Sequence, residues 1–150
     1  MTITKRDKLS NLISALLIFL FVYTGTSKLL APDLFRAPVA QSILIRNYTE
    51  QVIRIVPVTE LVISILLFLP VTRKVGLFCS FLLMALFTSY VGYMLAFAKD
   101  LPCSCGGIIQ KMSWPQHLIF NVLFTGLAFT GWRLSRRSAV YQPTVPGELA

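Results

Sequence analysis

The chain has 150 residues, 14 Lys and Arg against 6 Asp and Glu, one His and three Cys, with 55% hydrophobic and only 13% charged residues; an ordinary soluble domain carries about 25% charged. Its mean hydropathy of +0.71 excludes a disordered chain, and three cysteines are too few for a disulfide-stapled scaffold. The apolar residues fall in long blocks and no aromatic-interleaved basic patch accompanies the net charge of +8, so the sequence reads as one membrane domain, its charge serving topology and anionic-lipid attraction rather than nucleic-acid binding.

A membrane-spanning helix needs about 20 mostly apolar residues, with every backbone amide bonded inside its own segment. The first block covers residues 9–29. A basic start (Lys5, Arg6, Lys8) followed by an apolar run also fits a signal peptide, with Gly25–Thr26–Ser27 as a small-residue cleavage site; we read it as a retained first span ending near Lys28. In residues 31–51 the apolar positions Leu34, Phe35, Val39, Ile43, Leu44 and Ile45 recur at three- and four-residue steps among Arg36, Gln41, Arg46 and Asn47. That pattern fits an amphipathic helix on the outer membrane surface, with an ordered loop as the alternative.

The second span, residues 52–69, carries Arg54, Pro57 and Glu60. A charge at mid-bilayer costs about 2.5–3.5 kcal/mol on insertion scales, so Glu60 is expected to face the bundle interior and pair, with Lys28 and Arg54 as available partners. The functional alternatives are a proton relay or a group near a quinone head. The third span, residues 75–98, contains Cys79, which reads as a small packing hydrophobe.

The densest chemical signal follows in Pro102–Cys103–Ser104–Cys105–Gly106–Gly107. A disulfide across one intervening residue closes a tight, strained ring, and strain eases reduction. It closes almost no loop, so it removes little unfolded-state entropy; that favours redox work over a structural staple. Lys99 and Lys111 flank the pair and favour thiolate, as does the positive end of the next helix. That helix, residues 114–132, starts at Ser113–Trp114–Pro115–Gln116, a capping-box pattern with proline in the first turn. His117 and Asn121 lie four residues apart on one of its faces. His117 could relay protons for the cysteine pair or simply bond to backbone or water near the headgroups, and Asn121 is expected to bond across helices. Cys103, Cys105 and His117 would also serve as soft ligands in a metal-handling reading. Trp114 and Trp132 suit the two interfaces of this span, and residues 138–150, rich in Pro and Gly, read as a loose tail behind a four-helix domain of residues 1–137.

Short-loop basic residues set orientation. Lys5, Arg6 and Lys8, then Arg73 and Lys74, then Arg133, Arg136 and Arg137 share one side of a four-span chain, which should be the cytoplasm. The other side mixes Lys28, Arg36, Arg46, Arg54, Lys99 and Lys111 with Asp33, Glu50 and Asp100. The expected fold is therefore all-α: an integral membrane four-helix bundle, N-in and C-in, with the cysteine pair outside the cytoplasm.

Several pieces together resemble the DoxX/MauE superfamily of small four-helix membrane proteins. Tyr23–Thr24–Gly25–Thr26–Ser27–Lys28–Leu29–Leu30 before Pro32 is similar to the end of that superfamily's first helix, and Pro57–Val58–Thr59–Glu60 to its second-helix signature. Cys103–Ser104–Cys105–Gly106–Gly107 followed by Trp114, His117, Phe120 and Asn121 resembles the redox-associated MauE-like branch. The resemblance implies a bacterial inner-membrane bundle linked to periplasmic thiol–disulfide chemistry, with Cys103 and Cys105 as redox pair and Lys28, Glu60, His117 and Asn121 as signature polar residues. MauE-like proteins are associated with maturation of a disulfide-rich dehydrogenase subunit, and the DoxX side with quinone-linked sulfur oxidation. The chain departs from four-helix oxidoreductases of the DsbB and vitamin K epoxide reductase type in lacking a second outer cysteine pair.

The leading expectation is a thiol–disulfide protein in which Cys103 and Cys105 exchange electrons with a periplasmic thioredoxin-like or substrate protein, assisted by His117. The competing expectations are a non-enzymatic accessory subunit of a larger membrane or periplasmic complex, and the metal-handling protein.

Overall fold

The four apolar blocks become helices, and the helices run past the lipid-compatible residues wherever the flanking sequence still favours helix. In the computed structural model, which describes residues 3–42, 45–97 and 113–139, α1 spans Ile3–Leu30, α2 Pro32–Gln41, α3 Thr49–Phe68, α4 Arg73–Phe97 and α5 Trp114–Ala139, with a one-turn 3-10 helix Arg46–Tyr48 before α3. Among the described residues there is no strand. The polar turn Lys5–Lys8 extends α1 ahead of its apolar block, and α5 continues through Arg133 and Arg136, because Lys and Arg are good helix formers in water. Four stretches, within α1, α3 with its preceding turn, α4 and α5, are long and apolar enough to cross a membrane. Residues 138 and 139, expected to begin the loose tail, are the last residues of α5, and residues 140–150 lie outside the described residues.

α1 packs most extensively with α3, and α4 with α5; contacts of α1 with α5 and of α3 with α4 close the ring. The chain runs up and down, so the α3–α4 turn gathers the starts of α1 and α4 and the ends of α3 and α5. We call this the turn end. The opposite, loop end gathers Lys28 of α1, α2, the start of α3, Phe97 of α4 and the start of α5.

The turn end is tightly packed. Ile13, Leu17 and Phe21 of α1, Ile63 and Leu67 of α3, Leu77 and Met84 of α4 and Ala128 of α5 form the core, with Cys79 packed against it. Small residues let backbones approach, the usual device where lipid gives helices no hydrophobic reason to associate. A Cβ on Gly76 would stand 2.9 Å from the Leu67 backbone nitrogen, and one on Gly131 would stand 2.9 Å from Ile13 Cγ2 and 3.1 Å from Leu77 Cδ2. Buried hydroxyls are satisfied inside their own helices: Ser14 donates to the Ser10 carbonyl, Ser64 to Glu60 and Ser80 to Gly76. Thr88 and Thr125 hydroxyls meet at 2.9 Å across α4 and α5. Arg73 bonds Asn11, joining the starts of α4 and α1. The Trp132 ring lies beside Phe78, Phe81 and Phe129, with the Arg136 guanidinium 5.0 Å from its centroid.

α2 is the amphipathic helix expected in residues 31–51. Pro32 in its first turn and Asp33 suit a helix start. Phe35, Val39 and Ser42 fall on one face at helical spacing, with Val39 and Ser42 buried, while Leu34 and Arg36 are exposed. The buried face covers the bundle, and the Ser42 hydroxyl reaches Met94 Sδ of α4 at 3.8 Å. Ile43 and Leu44 lie outside the described residues.

The glycine contacts give a paired test. Gly76→Ala forces a methyl against Leu66 and Leu67 backbone and should cost about 1–3 kcal/mol, as overpacking does. Gly126→Ala meets nothing within 4 Å and should stabilise by about 0.5–1 kcal/mol through helix propensity. Thermal unfolding of the two variants in detergent should shift in opposite directions.

Candidate functional site

Lys28 lies in the last turn of α1, and Glu60 falls on the inward face of α3 with Ile53, Pro57, Ser64 and Leu67. Gly25, one turn before Lys28, allows the approach: a Cβ there would be 3.2 Å from the Pro57 carbonyl oxygen. Two helices that close bring the Lys28 Nζ to 2.6 Å from Glu60 Oε1. The Glu60 side chain is 1% exposed and that of Lys28 16%. This is the pairing expected for Glu60; Arg54, the other expected partner, is exposed on α3.

The ammonium is also held by aromatic faces. Nζ lies 5.4 Å from the Phe35 ring centroid and 5.7 Å from that of Phe87, distances at which a ring quadrupole attracts a cation. One cation thus ties together α1, α2, α3 and α4. Thr24, a turn before Lys28, donates its hydroxyl to the Leu20 carbonyl. Glu60 Oε2 is buried and has no hydrogen-bond partner among the described residues, which leaves acceptor capacity on the site.

α5 supplies the facing wall. Its start is fixed by the Ser113 N–H donating to Gln116 Oε1 at 2.9 Å, half of the expected capping box, and by the His117 N–H donating to the Ser113 carbonyl. His117 therefore sits in the first turn and Asn121 one turn deeper, 4% exposed. Among the described residues Asn121 bonds within its own helix, in place of the cross-helix bond expected of it. Its Nδ2 donates to the His117 carbonyl of the same helix at 2.8 Å, the local competition that short amide side chains offer a helix backbone.

Lys28, Glu60, His117 and Asn121, chosen from the sequence at separations of up to 93 residues, line one cavity of about 570 Å3 at the loop end of the bundle. The remaining wall is largely apolar and aromatic, with Phe35, Phe87, Tyr90, Tyr93 and Phe120 prominent. Lys28 also lines a second hollow of about 360 Å3 with Arg36, Glu50 and Arg54, where Arg36 and Glu50 form an exposed ion pair at 2.5 Å. Lys28 thus stands between an inner cavity and an outer depression.

Cys103 and Cys105, with the flanking Lys99 and Lys111, lie outside the described residues. Their segment joins Phe97 of α4 to Ser113, so both of its ends are at the loop end. Among the described residues no group of three His, Cys, Asp or Glu side chains could hold a metal ion; the Cys103–Cys105–His117 set extends beyond them. The aromatic cage was not singled out from sequence. The available signal was the cation itself, since a lysine inside a bundle needs ring faces as well as a counter-ion.

Removing one partner of a buried pair leaves an uncompensated charge, worth about 3–5 kcal/mol, whereas replacing both by apolar groups is often neutral. Lys28→Met and Glu60→Met should each destabilise the protein strongly, and the double variant should lie well above either single one. Unfolding free energies in lipid or detergent check this; additive losses would contradict the pair.

No curated protein and no solved structure matches the chain. The family model for the methylamine utilisation protein MauE matches residues 6–134, from the first turns of α1 through nearly all of α5 and so across all four candidate spans. The chain, a multi-pass membrane protein by its apolar helices, belongs to the MauE family.

Proposed function

We propose that this protein is a membrane accessory protein of methylamine utilisation that carries out thiol–disulfide exchange through Cys103 and Cys105 on the periplasmic face of a bacterial inner membrane. The observation that carries the reading is positional. The polar constellation of Lys28, Glu60, His117 and Asn121 lines one cavity at the end of the bundle where the segment carrying Cys103 and Cys105 joins α4 to α5. The basic residues of the turn end favour the cytoplasm for that side and the periplasm for the loop end.

In the proposed exchange one thiolate of the pair attacks a partner disulfide, forming a mixed disulfide and releasing one partner thiolate. The second cysteine then attacks its neighbour's sulfur, closing the 103–105 disulfide and releasing the partner's other thiolate. Two electrons pass to the partner, and reversing the steps oxidises it. To His117, in the first turn of α5, this reading assigns taking and returning protons as thiols ionise. Glu60 and Lys28 hold the helices that frame it.

A second reading is supported by the family description, which names a process and no reaction. There the protein is a non-enzymatic subunit of a larger assembly, docking through its loop end, where Leu30, Leu34 and Tyr48 are exposed.

Single Cys103→Ser and Cys105→Ser variants separate the two. Under thiol exchange, one variant should accumulate a mixed disulfide with a periplasmic protein, visible by non-reducing electrophoresis and abolished by reductant and in the double variant. Absence of any adduct, together with full support of methylamine growth by the double variant, would favour the structural subunit.

A further inference from the structure

A cavity of about 570 Å3 is large for a bundle of this size. Protein interiors pack like organic crystals and leave few voids larger than a water, whereas ligand pockets run from about 300 to 1,000 Å3. The core at the turn end shows that this sequence can pack closely, with a Cβ at Gly76 or Gly131 meeting a neighbour at 2.9 Å. The space lies between the other halves of α3 and α4, lined by Val52, Val56 and Glu60 on one side and by Leu86, Phe87 and Tyr90 on the other. It reaches the lipid-facing surface: Leu86 is 65% exposed and Ser89, which also lines it, is exposed.

The lining defines the occupant. Lys28 and Glu60 neutralise each other at 2.6 Å, so an anionic head would meet a like carboxylate and a cationic head a like ammonium, both costly in a low-dielectric site. The occupant is uncharged. Its ring-sized middle meets the faces of Phe35, Phe87, Tyr90 and Phe120. Its polar end meets groups of both kinds. The Lys28 ammonium donates, the buried and unpartnered Glu60 Oε2 accepts, and the Asn121 amide and the His117 imidazole, which also line the cavity, carry groups of both kinds. A carbonyl needs only donors and a hydroxyl needs an acceptor as well; this site serves a ring that carries either.

We infer that this cavity binds a membrane-soluble quinone, entering from the bilayer between α3 and α4, with its ring among the aromatic side chains and one oxygen toward Lys28, His117 and Asn121. The redox role of that ligand rests on the thiol reading above. When the Cys103–Cys105 dithiol is oxidised, two S–H bonds break, one S–S bond forms, and two electrons and two protons leave; a quinone takes up all of them and becomes a hydroquinone. The chain has three cysteines, and Cys79, the one outside the pair, lies 18 residues before the end of α4, about 27 Å along the helix. No second in-chain pair can receive the electrons, so a lipid-soluble two-electron acceptor fills that role.

Titration of the purified full chain in lipid nanodiscs with decylubiquinone tests the site. Binding should saturate at one molecule per chain. Asn121→Leu should weaken it about tenfold, as the loss of a hydrogen bond in a buried site does, while leaving unchanged the weak uptake of decylbenzene, which has the tail but no carbonyl. Leu86→Trp, a change at the lipid-exposed mouth that leaves the buried contacts intact, should weaken decylubiquinone binding as well. The Cys103→Ser/Cys105→Ser double variant should bind like the native chain, so failure of the thiol reading and failure of the quinone site give different results. Unsaturable partitioning equal in the native chain and Leu86→Trp, or tighter binding of decanoate than of decylubiquinone, would overturn the proposal.

Discussion

Placing a lysine and a glutamate inside a lipid-embedded bundle is the constraint from which the loop end of this protein follows. Neither charge is tolerable alone at that depth, so α1 and α3 must meet with Lys28 against Glu60. Once that contact is fixed, the ammonium draws Phe35 of α2 and Phe87 of α4 to its other sides. The amphipathic segment after α1 thus becomes part of the bundle, with Val39 and Ser42 buried against it. A pair that would be merely a topological oddity in one helix becomes the joint of four.

The two ends of the bundle solve opposite problems. At the turn end, glycines and small hydroxyl residues bring backbones together, and serine protons return to carbonyls four residues back. Among the described residues the one buried side-chain atom there without a hydrogen-bond partner is Arg73 Nε, and at the rim arginines lie over Trp132 and Phe129. At the loop end the charged pair, the imidazole and the amide cannot interdigitate with aromatic rings so closely, and a cavity remains. The segment that carries Cys103 and Cys105, the proposed redox pair, joins α4 to α5 at this second end. Fold stability and proposed function are thereby assigned to different halves of the same helices.

What the sequence disclosed and what it concealed divide along physical lines. The spans were legible because lipid demands length and apolarity, although their ends were not, since lysine and arginine carry a helix on into water. The Lys28–Glu60 pair was legible because a buried carboxylate must find a cation and few were available. The capping pattern at Ser113–Gln116 was legible because it is local, and it appears as a hydrogen bond. Asn121 was misjudged: an intramembrane amide was expected to reach a neighbouring helix, but the carbonyl of His117 is nearer. The cage rings were hidden by abundance, for 11 phenylalanines give no reason to choose Phe35 and Phe87. The cavity itself is a property of four helices at once and has no signature in any one of them.

Membership in the MauE family places the chain among proteins named for methylamine utilisation, and the geometry adds a reason why such a small bundle would retain costly charges. The account rests on Lys28 and Glu60 being in contact within the bilayer. Solid-state nuclear magnetic resonance on the protein in lipid, with nitrogen-15 in the lysine side chain and carbon-13 in the glutamate carboxyl, measures that contact directly. The account predicts strong dipolar recoupling between the two labels, as an Nζ–Oε1 separation of 2.6 Å requires, lost on Lys28→Met. A Glu60 carboxyl signal with no recoupling to any lysine nitrogen would contradict it.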